Sequence, residues 1–384
     1  MPEEHMPPAE HEVPRNRQAR DYESTHNRLF LIRLALTVCI LAAYLLSGAS
    51  AQLAAGLRTR FGNAWLLVNG LYTIVTIFGF AAFMFPLSVY SEHTLEHRYG
   101  LSRQSFEGWF FDYLKSLLIE LVLAVLFVEA IYVFLRYAPN LWWIWATIFY
   151  VAVAVVLTAI APVLIMPLFH KFEPLQNAAL TDRVRTFAES AGLRVIGVFR
   201  WGLEEKTATG NAAITGIGRT RRIVLGDTLL EGYSEDEILA ILAHEIGHYR
   251  HRDLARLILS GSITAAAGFY ITHRVLGFLV NRFGFAGVDD IASFPLLVFC
   301  LLLFSLFTMP VSNGYSRRRE FAADAYAVAA MGGPEPLVSA LEKLADQNLS
   351  DRDPPRWIEW LLHSHPSIGR RVVRARNLSA PRSA

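Results

Sequence analysis

The sequence predicts a mainly α, polytopic membrane protein whose helices are interrupted by a soluble, metal-binding insertion with a small β-sheet. Three observations predict it. Hydrophobic residues make up 53% of the 384 positions and charged residues only 18%, a balance that soluble domains rarely show. Six apolar runs approach or exceed the roughly 20 residues that a spanning helix needs. Between the fourth and fifth runs lies a polar stretch with short β-branched segments separated by glycines, the pattern of a small sheet.

Taken in order, residues 1–27 are polar and lack apolar periodicity, and they read as a disordered tail. That tail places the first apolar run too far in for an ordinary cleaved signal peptide. The runs cover 29–46, 65–87, 117–135, 141–166, 257–280 and 291–309. A short connection around Pro139 makes the third and fourth a tight hairpin, and His273 with Arg274 interrupts the fifth. The resulting division is a tail (1–27), four membrane helices with a cytoplasmic loop (28–166), a soluble insertion (167–253), two further membrane helices (254–313) and a C-terminal helical region (314–384).

Arginine placement orients the chain. Arg15, Arg17, Arg20, the loop 98–115, the segment before the fifth run and the C-terminal tail share one side. Arg58, Arg60, Arg136 and Arg282 lie on the other, poorer side. Both termini and the insertion are therefore expected in the cytoplasm. The formal net charge of +2 is too small to suggest nucleic acid as a partner. Cys39 and Cys300 lie inside apolar runs, as structural cysteines do, and read as neither disulfide nor metal ligands. The scarcity of lysine, found only at Lys115, Lys171, Lys206 and Lys343, suits a GC-rich bacterial genome.

Within the insertion, 177–191 has helical periodicity, and 195–201, 212–217 and 222–225 read as strands. A capping box, Ser234-Glu235-Asp236-Glu237, then opens a helix that carries His244-Glu245-Ile246-Gly247-His248. Histidines at i and i+4 project from one helical face, so two ring nitrogens can hold one Zn²⁺ at about 2.0–2.1 Å. Glu245, one step round the helix, is placed to act as a base on a water molecule. The helix leads through His251, Arg252 and Asp253 into the fifth run, which ties the site to the membrane surface. An edge strand beside it could bind extended peptide by β-augmentation.

A third ligand must come from elsewhere. His251, at i+7 from His244, does not match the metzincin spacing, and the position that does is Leu254. Beyond the sixth run and the breakers between Pro310 and Gly314, Glu320 and Asp324 share a helical face. Glu320 would complete a His₂Glu set that leaves one position open for catalysis. Asp324 would accept a hydrogen bond from a ligating histidine and orient it.

These motifs, with Pro86-Leu87-Ser88-Val89-Tyr90-Ser91, Glu96-His97-Arg98-Tyr99-Gly100, Pro167-Leu168-Phe169-His170-Lys171-Phe172, Asn211-Ala212, the stretch from Arg222 to Leu230, Ser316-Arg317, Ser364-His365-Pro366 and Arg371, resemble the integral-membrane CAAX prenyl endopeptidases of the type that processes the yeast a-factor pheromone. The resemblance implies a zinc endopeptidase cutting near the C-terminus of prenylated substrates inside a chamber walled by membrane helices, here in a bacterial homologue. By the same resemblance His244, His248 and Glu320 bind one Zn²⁺, Glu245 is the catalytic base and Asp324 supports the site. Asn211, His365 and Arg371 would meet substrate, with His365 or Arg371 near the scissile carbonyl. Eukaryotic members have seven spans against the six counted here, the difference falling at the N-terminus. Glu120 and Glu129 in one apolar run, and His273 with Arg274 in another, suit a wet interior, because ionisable groups there are costly and usually face water or a partner.

The expected location is a bacterial inner membrane, or the endoplasmic reticulum membrane in a eukaryote. Two other readings stay open: a membrane quality-control protease of the same fold with no prenyl requirement, and a channel or transporter with a structural metal site.

Overall fold

Apolar length sets the architecture. The computed structural model describes residues 12–62, 64–216 and 218–378, and among them six helices are long and apolar enough to cross a membrane. Helix α1 (Glu12–Leu46) is followed by the short α2 (Ala49–Phe61) and by α3 (Trp65–Ser88), which runs through a π-helical turn, Val89–Thr94, into α4 (Leu95–Arg98). Helices α5 (Phe106–Tyr137) and α6 (Trp142–Ile160) form the expected hairpin. Large side chains from several helices, among them Tyr72, Tyr132, Leu135 and Trp142, close a common core. Leu118, Ile263 and Phe307 stand on outer faces, 63%, 64% and 83% exposed, as suits side chains that meet hydrocarbon. His273 is paired across helices, accepting at Nδ1 from the indole N–H of Trp142 at 3.1 Å.

The insertion starts with β1 (Phe172–Pro174) and α7 (Ala178–Ser190), whose cap Asn177 accepts from the Leu180 N–H. Strands β2 (Val198–Trp201), β3 (Ala212–Thr215) and β4 (Arg222–Gly226) follow. The sheet order is β1-β2-β4-β3, with β2 and β4 parallel and the other pairs antiparallel, so β3 is an edge. The strand expected over 195–201 is shorter, that over 212–217 ends at Thr215, and Ile217 lies outside the described residues. After α8 (Asp227–Gly232) comes α9 (Glu235–Arg250), which packs Ile238, Leu242 and Ile246 with Val184, Ile223 and Leu225 in one apolar cluster. The chain then enters α10 (Asp253–Leu279), α11 (Phe294–Met331), α12 (Glu335–Gln347), α13 (Arg356–Leu362) and α14 (Ile368–Leu378).

Two expectations are corrected. Residues 12–27 are helical rather than a disordered tail, whereas 1–11 lie outside the described residues. Polar partners explain the order: the Tyr22 hydroxyl donates to Glu96 at 2.8 Å, His26 pairs with Glu96 at 3.1 Å, and Glu23 accepts from the Asp351 N–H at 2.9 Å. The breakers between Pro310 and Gly314 do not end the sixth span, because Pro310 sits inside a continuous α11. Helices tolerate proline at such depth when the freed backbone groups are re-satisfied locally. One rigid helix thus carries both the span and Glu320 with Asp324, and the boundary expected at 313/314 is no break.

Candidate active site

The site forms where α9 crosses α11. Their close approach rests on Gly247: a Cβ there would lie 2.9 Å from Ala323 Cα, so any larger residue would push the helices apart. The capping box is formed at the start of α9, the Ser234 hydroxyl accepting from Glu237 N–H and the Glu237 carboxylate accepting from Ser234 N–H. Glu237 also accepts from Lys343 Nζ at 2.7 Å and from the Ser339 hydroxyl at 2.6 Å, fastening α9 to α12.

Across this crossing His244, His248 and Glu320 converge, each offering an atom within 4.8 Å of the others. The His244 and His248 Nε2 atoms are 3.2 Å apart, and they lie 3.3 and 3.4 Å from the Glu320 oxygens. Those edges match a tetrahedral centre with ligands at about 2.0–2.1 Å, whose edge is about 3.3 Å. The hydrogen bonding agrees. His244 Nδ1 bonds Asp324 Oδ1 at 2.9 Å and His248 Nδ1 bonds Asp253 Oδ2 at 2.9 Å. In the neutral rings that metal binding requires, with Nδ1 donating to its aspartate, both Nε2 atoms carry lone pairs that face one another and a carboxylate. Glu320 Oε2 is buried, with His244 Nε2 at 3.3 Å and His365 Nδ1 at 3.2 Å. Two imidazole Nε2 atoms and a carboxylate converging at these distances are the donor set of a divalent-cation site, so these residues fit the metal that the motif implies.

The supporting shell holds one residue the sequence reading missed. Asp253 is 3% exposed, accepts from His248 and from Arg319 Nε at 2.6 Å, and is the first residue of α10. It reaches back because Arg252 adopts a left-handed conformation, φ 54°, rare for a non-glycine residue. A spacing argument could have offered Asp253, five residues after His248, but nothing in the sequence announces that turn. Asp324, 1% exposed, bonds His244 and accepts both prongs of Arg371, at 2.9 and 2.7 Å.

A cavity of about 630 Å³ opens beside the cluster, lined by His244, Glu245, Glu320, Asn211, Ala212, His365 and Arg371 among others. Glu245 faces it with no hydrogen bond or ion pair among the described residues; burial raises its carboxyl pKa, against the pull of His244 and His248. Arg371 keeps its charge: burial opposes it, but Asp324 beside it outweighs burial and raises its pKa. Asn211 precedes the edge strand β3, and its carbonyl accepts from Gly226 N–H at 2.8 Å. His365 is largely exposed, with Nδ1 3.2 Å from Glu320 Oε2. Six of the eight sequence-selected residues therefore line one cavity, His248 and Asp324 join it through Glu320 and His244, and Arg371 is engaged by Asp324 rather than free. His251 is not among the converging ligands, and its ring lies 6.4 Å from that of Tyr326.

A multi-pass helical bundle joined to an H-E-x-x-H helix that meets a carboxylate from a membrane helix defines a membrane-bound metalloendopeptidase. The family model described as Peptidase family M48 matches residues 174–379, and that described as CAAX prenyl protease N-terminal, five membrane helices, matches 3–171. The chain belongs to Peptidase family M48. It is 30% identical to the uncharacterised metalloprotease YhfN of Bacillus subtilis over 93% of this chain and 84% of that one. It is also 30% identical to CAAX prenyl protease 1 of Saccharomyces cerevisiae, over 80% of this chain and 70% of that one. The crystal structure of S. mikatae Ste24p shares the fold, with a TM-score of 0.83 and 23% identity over 97% of this chain and 92% of that one.

Proposed function

We propose that the protein is a zinc endopeptidase, its site facing the cytoplasm, that cuts peptide bonds near the C-terminus of prenylated substrates. The observation that carries the peptidase chemistry is the convergence of His244, His248 and Glu320 beside an unpaired Glu245 at an open cavity. The similarity to CAAX prenyl protease 1 supports the substrate class. Zn²⁺ held by His244, His248 and Glu320 would supply Lewis acidity, polarising the scissile carbonyl and acidifying water. Glu245 takes the proton of the attacking water and passes it to the leaving amine, a role that its raised pKa favours. His365 donates to the carbonyl oxygen as that atom gains charge, while Arg371 fixes Asp324 and through it the His244 ring. The edge of β3, with Asn211 just before it, binds the extended substrate backbone.

Glu245→Gln is expected to retain stoichiometric zinc by elemental analysis while peptide cleavage falls by about 10²–10⁴-fold; cleavage at the wild-type rate sinks the assignment. His248→Ala is expected to lose the metal. The chain is as similar to a bacterial metalloprotease as to CAAX prenyl protease 1, so a second reading is quality-control proteolysis without a lipid requirement. A farnesylated peptide and its unlipidated twin separate the two. Faster cleavage of the farnesylated peptide supports the first reading, and equal rates support the second.

A further inference from the structure

Helix α13 carries two large side chains that neither the core nor the cavity uses. Trp357 and Trp360, three residues apart on this seven-residue helix, are 65% and 59% exposed. A tryptophan can bury about 150–250 Å², so two on one face leave a costly patch unless something covers it.

Helix α11 carries an exposed apolar stripe of its own. Leu303, Phe307 and Val311 follow at one-turn intervals, 49%, 83% and 76% exposed. Just beyond Val311, α11 grips α13. Asn313 Nδ2 donates to the Leu361 carbonyl at 2.8 Å, and Arg317 donates to the carbonyls of Glu359 at 2.8 Å, Trp360 at 3.4 Å and His363. The bonds to Trp360, Leu361 and His363 satisfy carbonyls that the C-terminus of α13 would otherwise leave orphaned, whereas the Glu359 carbonyl also accepts from His363 N–H. About 20 helical residues cross the roughly 30 Å of hydrocarbon, so a span beginning at Ile291 reaches its far edge near Val311. The turn that holds α13, and the arginines from Arg317 to Arg319, therefore sit at headgroup depth. Arg318 and Arg356 are exposed there. Tryptophan with flanking arginine is the composition of a membrane interface.

We propose that α13 is an interfacial anchor whose tryptophans lie in the headgroup layer of the bilayer, at the depth where the apolar stripe of α11 ends. The membrane surface thereby helps to set the position of the segment after α13, which brings His365 to the cavity. The partner is a lipid surface, and the inference rests on the membrane bundle alone, not on the proposed substrate.

The test uses full-length protein in nanodiscs with Cys39 and Cys300 replaced by serine, and a nitroxide placed in turn through Trp357→Cys, Trp360→Cys, Val311→Cys and Glu205→Cys. Val311 stands for lipid and Glu205, 73% exposed on the insertion, for water. Labels at 357 and 360 are expected to be accessible to oxygen and shielded from a nickel chelate, as at 311. Chelate access equal to that at 205 overturns the proposal. Protection from both reagents also overturns it, since that reports a protein cover such as a second copy. As a functional arm, the double variant Trp357→Gln, Trp360→Gln is expected to raise KM several-fold for a membrane-anchored peptide while leaving KM for a short soluble peptide unchanged. An equal rise for both peptides contradicts it.

Discussion

Asp253 faces the Nδ1 of His248 as Asp324 faces that of His244, so each proposed ligand ring has its own carboxylate. Such partners typically account for 10–100-fold in metal affinity. Asp253→Ala is accordingly expected to weaken zinc binding by about that factor, read by chelator competition on folded protein. Asp253→Asn, which keeps an acceptor but loses charge, should fall between the two; an affinity unchanged in both variants removes Asp253 from the site. In the metal-free protein burial opposes a charge on His248, but Glu320 and Asp253 overcome it and push its pKa up to about 9. Metal requires the neutral ring. Binding at pH 7 should therefore release a proton from His248, and apparent affinity should rise with pH until about 9. Calorimetry in two buffers of different ionisation enthalpy measures that proton directly, and identical heats in both would contradict it. The reach of the sequence ends at this scale. His244, His248 and Glu245 are legible because one helix fixes their mutual geometry, whereas Asp253 depends on a single left-handed residue, Arg252.

At the level of elements, α9 is both the best-read helix and the most heavily fastened. Burial would raise the Glu237 pKa, but hydrogen bonds from Lys343, Ser339 and Ser234 outweigh it and lower the value from 4.5 to about 2. The sign follows: the contribution is complete above 4.5 and is lost as pH falls toward 2. Glu237→Gln is expected to cost about 1–3 kcal/mol, as weakening charge-assisted bonds to a buried group does, and to flatten the acid limb of stability. Thermal melts of wild type and variant between neutral and acid pH measure this, and parallel acid limbs would count against it. The capping box was readable from Ser234 to Glu237 because it is local. The bonds from Lys343 and Ser339 were not, because they come from α12. The same distinction explains α11, where Pro310 read locally as a breaker yet the helix continues. It also explains β1, three residues that become a strand only by pairing with β2.

For the molecule as a whole, the question is what fixes the catalytic half against the membrane half. Helix α10 leaves directly from the end of α9, and α11 carries Glu320 on the same rod as its span, so two covalent routes converge on the proposed metal ligands. A third route is not covalent. The polar first turns of α1 reach across, with Tyr22 on Glu96 and Glu23 on the Asp351 N–H, and Glu23 lies 3.3 Å from His363. Glu23 also lines the cavity that holds His244 and Glu245. Each hydrogen bond is worth about 1 kcal/mol, so Tyr22→Phe with Glu23→Ala should lower stability by roughly 2 kcal/mol without touching the proposed ligands. If α1 acts as a wall of the site, activity should fall further than the loss of folded protein explains, with zinc content per folded molecule unchanged. Melts, elemental analysis and peptide cleavage on the same preparation separate these effects. Activity that merely tracks the folded fraction would reduce α1 to a structural strut, and lost zinc would mean that the latch holds the metal helix itself in place.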